Sequence, residues 1–272
     1  MAEIIFARSR HVYQSYSDFW QLVVLSGFPT CYVDEIDFRS KNLYITTPMN
    51  GDYRAHLDNH KDDRRCTLVH WMLERPEESV AEFVSANQEL VEQNYVDINI
   101  CSDPAMARDS GAGYVPMGSH DGLGTPGEGY EKFYDAACLM AYTGRRAFLF
   151  ASPGTLKRDW NGLMLAPNCW GTKRDGVLRA SRFALNIHKD EFRYCEPLRF
   201  AVFIAYGLPV LSEAFDLRQS LYGSSFAFFE IFSDLPHIAK ILNSESLRRA
   251  ALDTRKELTT SVSFRRCLEM FL

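Results

Sequence analysis

The stretch SRFALNIHKDEFRYCEPLRFAVFIAYGLPVLSE (181–213) carries the strongest fold signal in this chain. Its apolar run 183–187 predicts a buried strand that ends in polar residues. Pro197 favours a helix start, because the first helical position needs no N–H donor, and Gly207 favours the end of that helix. Residues 209–212 predict the next strand. The stretch therefore indicates a strand–helix–strand unit with parallel strands.

The same alternation extends over the rest of the chain. Short apolar segments predict strands, and segments with apolar residues at helical spacing predict helices between them. The predicted strands are 4–7, 29–33, 42–47, 66–70, 96–101, 113–116, 136–142, 163–166 and 226–230. The predicted helices are 14–26, 77–92, a short helix that begins at Asp103-Pro104, 174–181, 197–206 and 235–243. This order is typical of doubly wound parallel sheets, so the sequence predicts an α/β protein.

The segment GSHDGLGTPGEGY (118–130) is rich in glycine and interrupts the alternation, as linkers do. We therefore predict two Rossmann-like lobes, an N-terminal lobe over 1–124 and a C-terminal lobe over 125–272. The last helix is expected to pack back toward the N-terminal lobe. The two lobes would face each other across a cleft, and ligands of such sheets bind at the carboxyl ends of the strands.

The composition indicates a globular protein, with 46% hydrophobic and 24% charged residues among 272. A net charge of −5 argues against a protein that holds a nucleic-acid duplex mainly through its phosphates. The seven cysteines are scattered and form no C-x-x-C pair, which argues against a disulfide framework or a zinc site. Neither a signal peptide nor an apolar run of about 18 residues stands out. We expect a cytoplasmic protein without a membrane span.

A group of charged and polar residues surrounds the helix that starts at Pro197. His188 and Lys189 follow the preceding strand, and both side chains can donate hydrogen bonds to a diphosphate. Arg199 can hold two phosphate oxygens in a fork, and the helix start itself favours an anion. Glu196 can accept hydrogen bonds from sugar hydroxyls. The plain alternatives are a helix cap for Glu196 and an ion pair for Arg199.

These motifs resemble the donor-binding half of GT-B glycosyltransferases, most of all a compact bacterial and phage group that includes spore-maturation-type proteins. The resemblance rests on Asn186-Ile187-His188, Glu196, Arg199, Gly207 and Val210-Leu211-Ser212-Glu213. Upstream, GYVPMG (113–118) resembles the turn that closes the first lobe, and the segment 134–146 resembles the strand and arginine-bearing loop that open the second. The matches follow the family's order over about residues 96–230.

The resemblance implies a sugar transferase that takes a nucleotide-diphosphate sugar, such as a UDP-sugar, as co-substrate and needs neither a metal nor another cofactor. One departure is Ile204, which stands where many GT-B transferases have a second glutamate. The acceptor stays open among a modified phage DNA base, a glycan and a small metabolite, so DNA is one candidate partner. The donor-binding residues expected from the resemblance and from their places after strands are Arg145, Arg146, Trp170, His188, Lys189, Glu196, Arg199, Ser212 and Glu213.

An inverting transferase also needs a base that takes the proton of the acceptor hydroxyl. His11 follows the first predicted strand, and His70 and Glu74 follow the fourth, so these three are the candidate catalytic residues of the first lobe. The alternative function is non-catalytic binding of a nucleotide or nucleotide-sugar. A dinucleotide-dependent oxidoreductase would carry G-x-G-x-x-G after the first strand, where FARSR (6–10) stands instead.

Overall fold

The structure, a computed structural model, describes residues 2–11, 16–47, 51–73, 79–139, 163–165, 169–188, 196–213, 226–229 and 245–271. The chain divides into two compact units by its internal contacts. Unit 1 comprises residues 1–116 together with 271–272, and unit 2 comprises residues 117–270. Each unit contains one parallel sheet with helices, and each is described by itself below.

Unit 1 is built on a six-stranded sheet in the order β2-β1-β3-β4-β5-β6, and the described strand pairs are parallel. Its strands are β1 (Ile4–Arg8), β2 (Thr30–Tyr32), β3 (Leu43–Thr46), β4 (Thr67–Met72), β5 (Ile98–Cys101) and β6 (Gly113–Tyr114). Its helices are α1 (Ser17–Leu25), α2 (Gly51–Leu57), α3 (Val80–Glu92) and α4 (Pro104–Ser110).

Unit 2 is built on a five-stranded parallel sheet in the order β11-β10-β9-β7-β8. Its strands are β7 (Tyr134–Cys138), β8 (Leu163–Leu165), β9 (Ser181–Asn186), β10 (Val210–Glu213) and β11 (Phe226–Phe229). The helices that belong to it are α5 (Lys173–Arg179), α6 (Pro197–Ala205), α7 (Glu245–Thr259) and most of α8 (Phe264–Phe271).

The two sheets share one connectivity. In each, the second strand lies on one side of the first, the third strand lies on the other side, and later strands add outward. This is the doubly wound order in which the chain reverses direction next to the first strand. The reversal falls between β1 and β3 in unit 1, and between β7 and β9 in unit 2. The prediction of an α/β protein with parallel sheets is therefore confirmed.

Aromatic side chains form much of the core of unit 1. The Phe6 ring lies 5.9 Å from Phe19 and 6.4 Å from Trp71 between centroids, and Phe19 lies 5.4 Å from Trp71. Trp20 and Phe28 complete the group. The indole Nε1 of Trp71 donates a hydrogen bond of 3.1 Å to Ser102 Oγ, so its polar atom is satisfied although the side chain is fully buried.

Helix α6 lies in the core of unit 2, where Phe200–Ala205 are all buried. Its apolar sequence explains this burial, because a helix that is hydrophobic on all sides needs neighbours on all sides. Helix α7 packs on α6, and Arg255 Nε donates a 2.8 Å hydrogen bond to Ala205 O at the end of α6. The position of α6 is thus fixed by both packing and a charged hydrogen bond.

The glycine-rich segment 118–130 belongs to unit 2 and packs closely against its C-terminal helices. Ser119 donates its N–H to Leu258 O at 3.0 Å and accepts the N–H of Phe264 at 3.1 Å. A Cβ on Gly118 would meet backbone atoms of Val262, Ser263 and Phe264. Glycine is therefore required at 118 by the close approach of two backbone segments.

Replacing Gly118 by alanine is expected to destabilise unit 2 by about 2 kcal/mol or more, because the backbone at 262–264 must shift to accept the added methyl group. Gly176→Ala is the matched control. Gly176 lies within α5 and an added Cβ meets no atom within 4 Å, so we expect a gain of roughly 0.5–1 kcal/mol from helix propensity. Urea denaturation followed by circular dichroism measures both, and equal stability of the two variants would contradict this packing.

Three described helices have no counterpart among the predicted helices, namely α2, α7 and α8. The helix predicted at 235–243 lies outside the described residues. Strand β4 was predicted to end at His70, but it continues to Met72. In the part of the chain that the structure describes, no helix has the length and apolar character needed to cross a membrane.

Candidate functional site

Polar side chains gather where β9 and β10 end. The two strands are neighbours, and the last residue of β9, Asn186, is paired in register with Ser212 of β10. Helix α6 begins at Pro197, and its first turn brings Arg199 to Asn186. This is the carboxyl edge of the sheet, next to the β7–β9 reversal, where ligands of such folds bind.

Asn186 lies at the centre of this cluster. Its amide Nδ2 donates a 3.0 Å hydrogen bond to Ser212 Oγ, and its Oδ1 accepts a 2.9 Å hydrogen bond from Arg199 Nη1. Both Asn186 and Ser212 are fully buried. Ser212 Oγ also donates to the Glu213 carbonyl at 2.8 Å. The strand ends are therefore joined by a continuous chain of side-chain hydrogen bonds that leads to the guanidinium.

Glu196 and Arg199 form an ion pair at the first turn of α6. Glu196 occupies the N-cap position, but its carboxylate contacts the guanidinium and makes no side-chain hydrogen bond to the first-turn backbone. The side chains are 14% and 18% exposed, so solvent screens this pair less than a surface pair. The structure thus holds the Arg199 head group between an amide oxygen and a carboxylate, in a defined orientation.

His188 and Glu213 lie next to this pair along the sheet edge. The backbone N–H of His188 donates a 2.9 Å hydrogen bond to Glu213 Oε2, which joins the segment after β9 to the end of β10. Their exposed fractions are only 2% and 6%. Both residues fix the shape of the strand ends, and contacts of their side chains with a diphosphate or a ribose stay predictions.

Five of the predicted donor-binding residues lie in one hydrogen-bonded cluster. They are His188, Glu196, Arg199, Ser212 and Glu213. Trp170 is partly exposed on the segment before α5 and lies outside that cluster. The predicted residues Arg145, Arg146 and Lys189 lie outside the described residues. Within the described ranges, His, Cys, Asp and Glu side chains form no group of three or more that could hold a metal ion.

Asn186 was missed as a site residue, although it belongs to the motif that carries the resemblance. The available signal was a single amide at the end of the otherwise apolar run FALN (183–186). A buried amide must find hydrogen-bond partners, and here they come from β10 and α6. Only the pairing of the strands reveals those partners.

The candidate bases of unit 1 lie in different surroundings. His11 is exposed after β1, and its N–H donates a 3.2 Å hydrogen bond to Ser9 Oγ. His70 lies within β4, where its Nδ1 is 3.2 Å from Asn99 Oδ1 and the residue is 7% exposed. The prediction that His70 follows the strand is therefore wrong, because β4 continues past this buried and hydrogen-bonded ring. Glu74 lies outside the described residues.

Burial, with a smaller contribution from the charge of Arg54, lowers the pKa of His70 to about 4 against the opposing effect of the hydrogen bond to Asn99. The unfolded chain, with a pKa near 6.5, takes up the proton first on acidification. The contribution of the neutral His70 to the free energy of unfolding of unit 1 is therefore complete above about pH 6.5, and it is lost as the pH falls toward 4.

Between pH 7 and pH 5, unit 1 is expected to lose about 2 kcal/mol of stability through His70. Urea denaturation at both pH values measures the loss. The variant His70→Gln keeps a polar side chain opposite Asn99 but does not titrate, so its stability should change much less over this interval. An equal pH dependence in the variant and the wild type would show that other groups cause it.

No protein-family model matches this chain, and a search of curated proteins finds no match. Solved structures do match. One is the glycosylation associate protein (Gap123) complex from Streptococcus agalactiae, with a TM-score of 0.55, 10% identity, and coverage of 86% of this chain and 55% of the other. Another is the structure of accessory secretory proteins 1, 2 and 3 from Streptococcus pneumoniae, with a TM-score of 0.52 and 10% identity. That match covers 95% of this chain and 56% of the other.

An α1,3-fucosyltransferase also matches over 99% of this chain and 89% of its own at 12% identity, but the TM-score of 0.47 is too low to define a shared fold. The chain spans little more than half the length of the two streptococcal structures. At about 10% identity these matches concern the fold alone. They show a likeness of fold to these two structures, whereas a GT-B arrangement and membership of the spore-maturation-type or phage group stay predictions.

Proposed function

We propose that this protein is a glycosyltransferase that binds a nucleotide-diphosphate sugar at the carboxyl edge of the unit 2 sheet and transfers the sugar to an acceptor hydroxyl. The observation that carries the proposal is the position of Arg199, held by Asn186 and Glu196 at the start of α6. A guanidinium at a helix start, beside the reversal point of a doubly wound sheet, is a favourable place for a diphosphate.

In the proposed reaction the bond between the anomeric carbon and the diphosphate oxygen breaks, and a bond to the acceptor oxygen forms. Negative charge grows on the departing diphosphate, and Arg199 with the N–H groups at the start of α6 would stabilise it. Lys189, Arg145 and Arg146 are further candidates for this contact. Such stabilisation requires no metal ion, in keeping with the resemblance.

The acceptor is proposed to bind on unit 1, which in a GT-B arrangement faces the donor unit across a cleft. The candidate bases are His11, His70 and Glu74. Burial lowers the pKa of His70 to about 4, so its imidazole is a weaker proton acceptor than an ordinary histidine. His11 is exposed and remains a candidate base. A DNA base, a glycan and a small metabolite remain the proposed acceptor classes, and we propose a cytoplasmic location.

The second candidate function is binding of a nucleotide-sugar without transfer. Two observations favour it. The position of the family's second glutamate is taken by Ile204, which is fully buried in α6 and offers no polar contact. One fold match is, by its name, associated with glycosylation. Binding without catalysis would use the same Arg199 cluster.

Release of free nucleotide diphosphate from a panel of labelled nucleotide-sugars distinguishes the two functions. The panel is first screened for ligands that raise the unfolding temperature, and the best ligand then goes into the release assay with candidate acceptors. Stabilisation together with turnover supports the transferase, and stabilisation without turnover supports the binding protein. The absence of stabilisation by every nucleotide-sugar tested would refute both.

A further inference from the structure

A cavity of unit 2 lies at the amino-terminal edge of the sheet, away from the Arg199 cluster. It has a volume of about 270 Å³, just below the usual range for small-molecule pockets. Its walls include Arg182 at the start of β9 and Pro209 just before β10, whereas Asn186 and Glu213 end those two strands at the other edge. The cavity is therefore distinct from the proposed nucleotide-sugar site.

Three cationic side chains converge on this cavity, namely Lys132, Arg182 and Arg248. They come from the segment before β7, from β9 and from α7, so three separate elements present positive charge to one space. The cavity also contains the carboxylates of Glu128 and Glu245. The lining thus carries an excess of positive charge.

Two ion pairs of these arginines are long. Arg248 Nη2 lies 3.9 Å from Glu128 Oε1, with side chains 50% and 65% exposed. Arg182 Nε lies 3.6 Å from Asp135 Oδ1. Both distances exceed those of hydrogen-bonded pairs, and exposed pairs of this kind contribute little to stability.

Lys132 is the most constrained of the three cations. Its Nζ donates a 2.6 Å hydrogen bond to the Arg179 carbonyl, which fixes the head group at the cavity wall. Burial lowers the pKa of Lys132, and the positive charge of Arg248 lowers it further. An anion placed between the two side chains would relieve both effects, because opposite charge favours the ammonium form.

We propose that this cavity binds a small phosphate-bearing anion between Lys132, Arg182 and Arg248. A phosphate group offers several acceptor oxygens, which suits a cavity whose three cationic residues come from three separate elements. Tyr206 and Gly207, which directly follow the C-terminus of α6, also line the cavity. The partial negative charge of that helix end is offset by the hydrogen bond from Arg255 to Ala205 O. The carboxylates of Glu128 and Glu245 can accept hydrogen bonds from the hydroxyl groups of an organic phosphate.

The test measures binding of inorganic phosphate by isothermal titration calorimetry in the Arg199→Ala background, so that the proposed nucleotide-sugar site does not contribute. We expect saturable binding that Arg248→Gln weakens about tenfold through the loss of a charge-assisted hydrogen bond. Arg182→Gln should have a similar effect. The matched control is Arg249→Gln, which removes the neighbouring exposed arginine of α7 and should leave binding unchanged.

A second arm replaces inorganic phosphate by glycerol 3-phosphate. Tighter binding of the organic phosphate assigns the cavity to a phosphorylated metabolite, and equal binding assigns it to phosphate itself. The proposal is overturned if phosphate shows no saturable binding in the millimolar range, or if Arg248→Gln and Arg249→Gln weaken it equally. Because the Arg199→Ala background removes the proposed nucleotide-sugar site, neither result bears on the proposed transferase function.

Discussion

Arg199→Ala is expected to remove most of the stabilisation that a nucleotide-diphosphate sugar gives to this protein. A ligand at one hundred times its dissociation constant adds about 2.7 kcal/mol to the free energy of unfolding. Loss of a charged fork that contacts phosphate weakens binding about a hundredfold. At the same ligand concentration the variant would then gain only about 0.4 kcal/mol. Thermal unfolding with and without the best ligand of the screen measures the difference.

Two further variants separate a ligand contact from a structural role. Arg199→Lys keeps the positive charge but not the planar fork, so we expect an intermediate loss of the ligand effect. Arg265→Ala is the control, because Arg265 pairs with Glu269 on the surface of α8 and lies outside the cluster. If both Arg199→Ala and Glu196→Ala keep the full ligand-induced shift, the site is misassigned.

Trp71→Ala is expected to remove about 3–5 kcal/mol from the stability of unit 1. The indole is fully buried against Phe6 and Phe19, so its removal leaves a cavity that these rings cannot fill without moving. It also leaves the buried Ser102 hydroxyl without its indole donor. Because domains are stable by only about 5–15 kcal/mol, the loss is a large share of the total.

Urea denaturation followed by circular dichroism measures this loss, since the substitution removes a fluorophore. Trp71→Phe keeps most of the aromatic volume and should cost clearly less. Val24→Ala on α1 is the surface control, because Val24 is 63% exposed and its truncation should change stability by about 0.5 kcal/mol at most. Similar losses for the alanine variants at 71 and 24 would contradict the assigned core.

The fold class was predictable because the strands of a parallel sheet are buried on both faces and therefore form short apolar runs between the helices. The missed helices show the limit of that signal. Helix α2, GDYRAHL, is seven residues long and begins at Gly51, so neither length nor propensity marks it. Helix α7 is mostly polar and buries only Ala251, Thr254 and Leu258, so packing on α6 rather than a broad apolar face holds it in place.

The candidate site was predictable only as a set of residue types after a strand and at a helix start. The sequence indicates Glu196 because a carboxylate is favoured at a helix start, and Arg199 because a guanidinium can bind a phosphate held there. It does not indicate that Asn186 would join them to Ser212, since that contact depends on the register of β9 against β10. Register is a tertiary property, and no local pattern along one strand encodes it.

The connectivity common to both sheets has a consequence for how this chain reaches its native state. Every described strand pair is parallel, so each pairing joins segments that are distant along the chain. Proteins dominated by such non-local pairings fold slowly, because loop-closure entropy is lost before the contacts form. Refolding after dilution from urea should therefore be slow beside a helical bundle of equal length, and unpaired strand edges should make its intermediates prone to aggregation at high concentration.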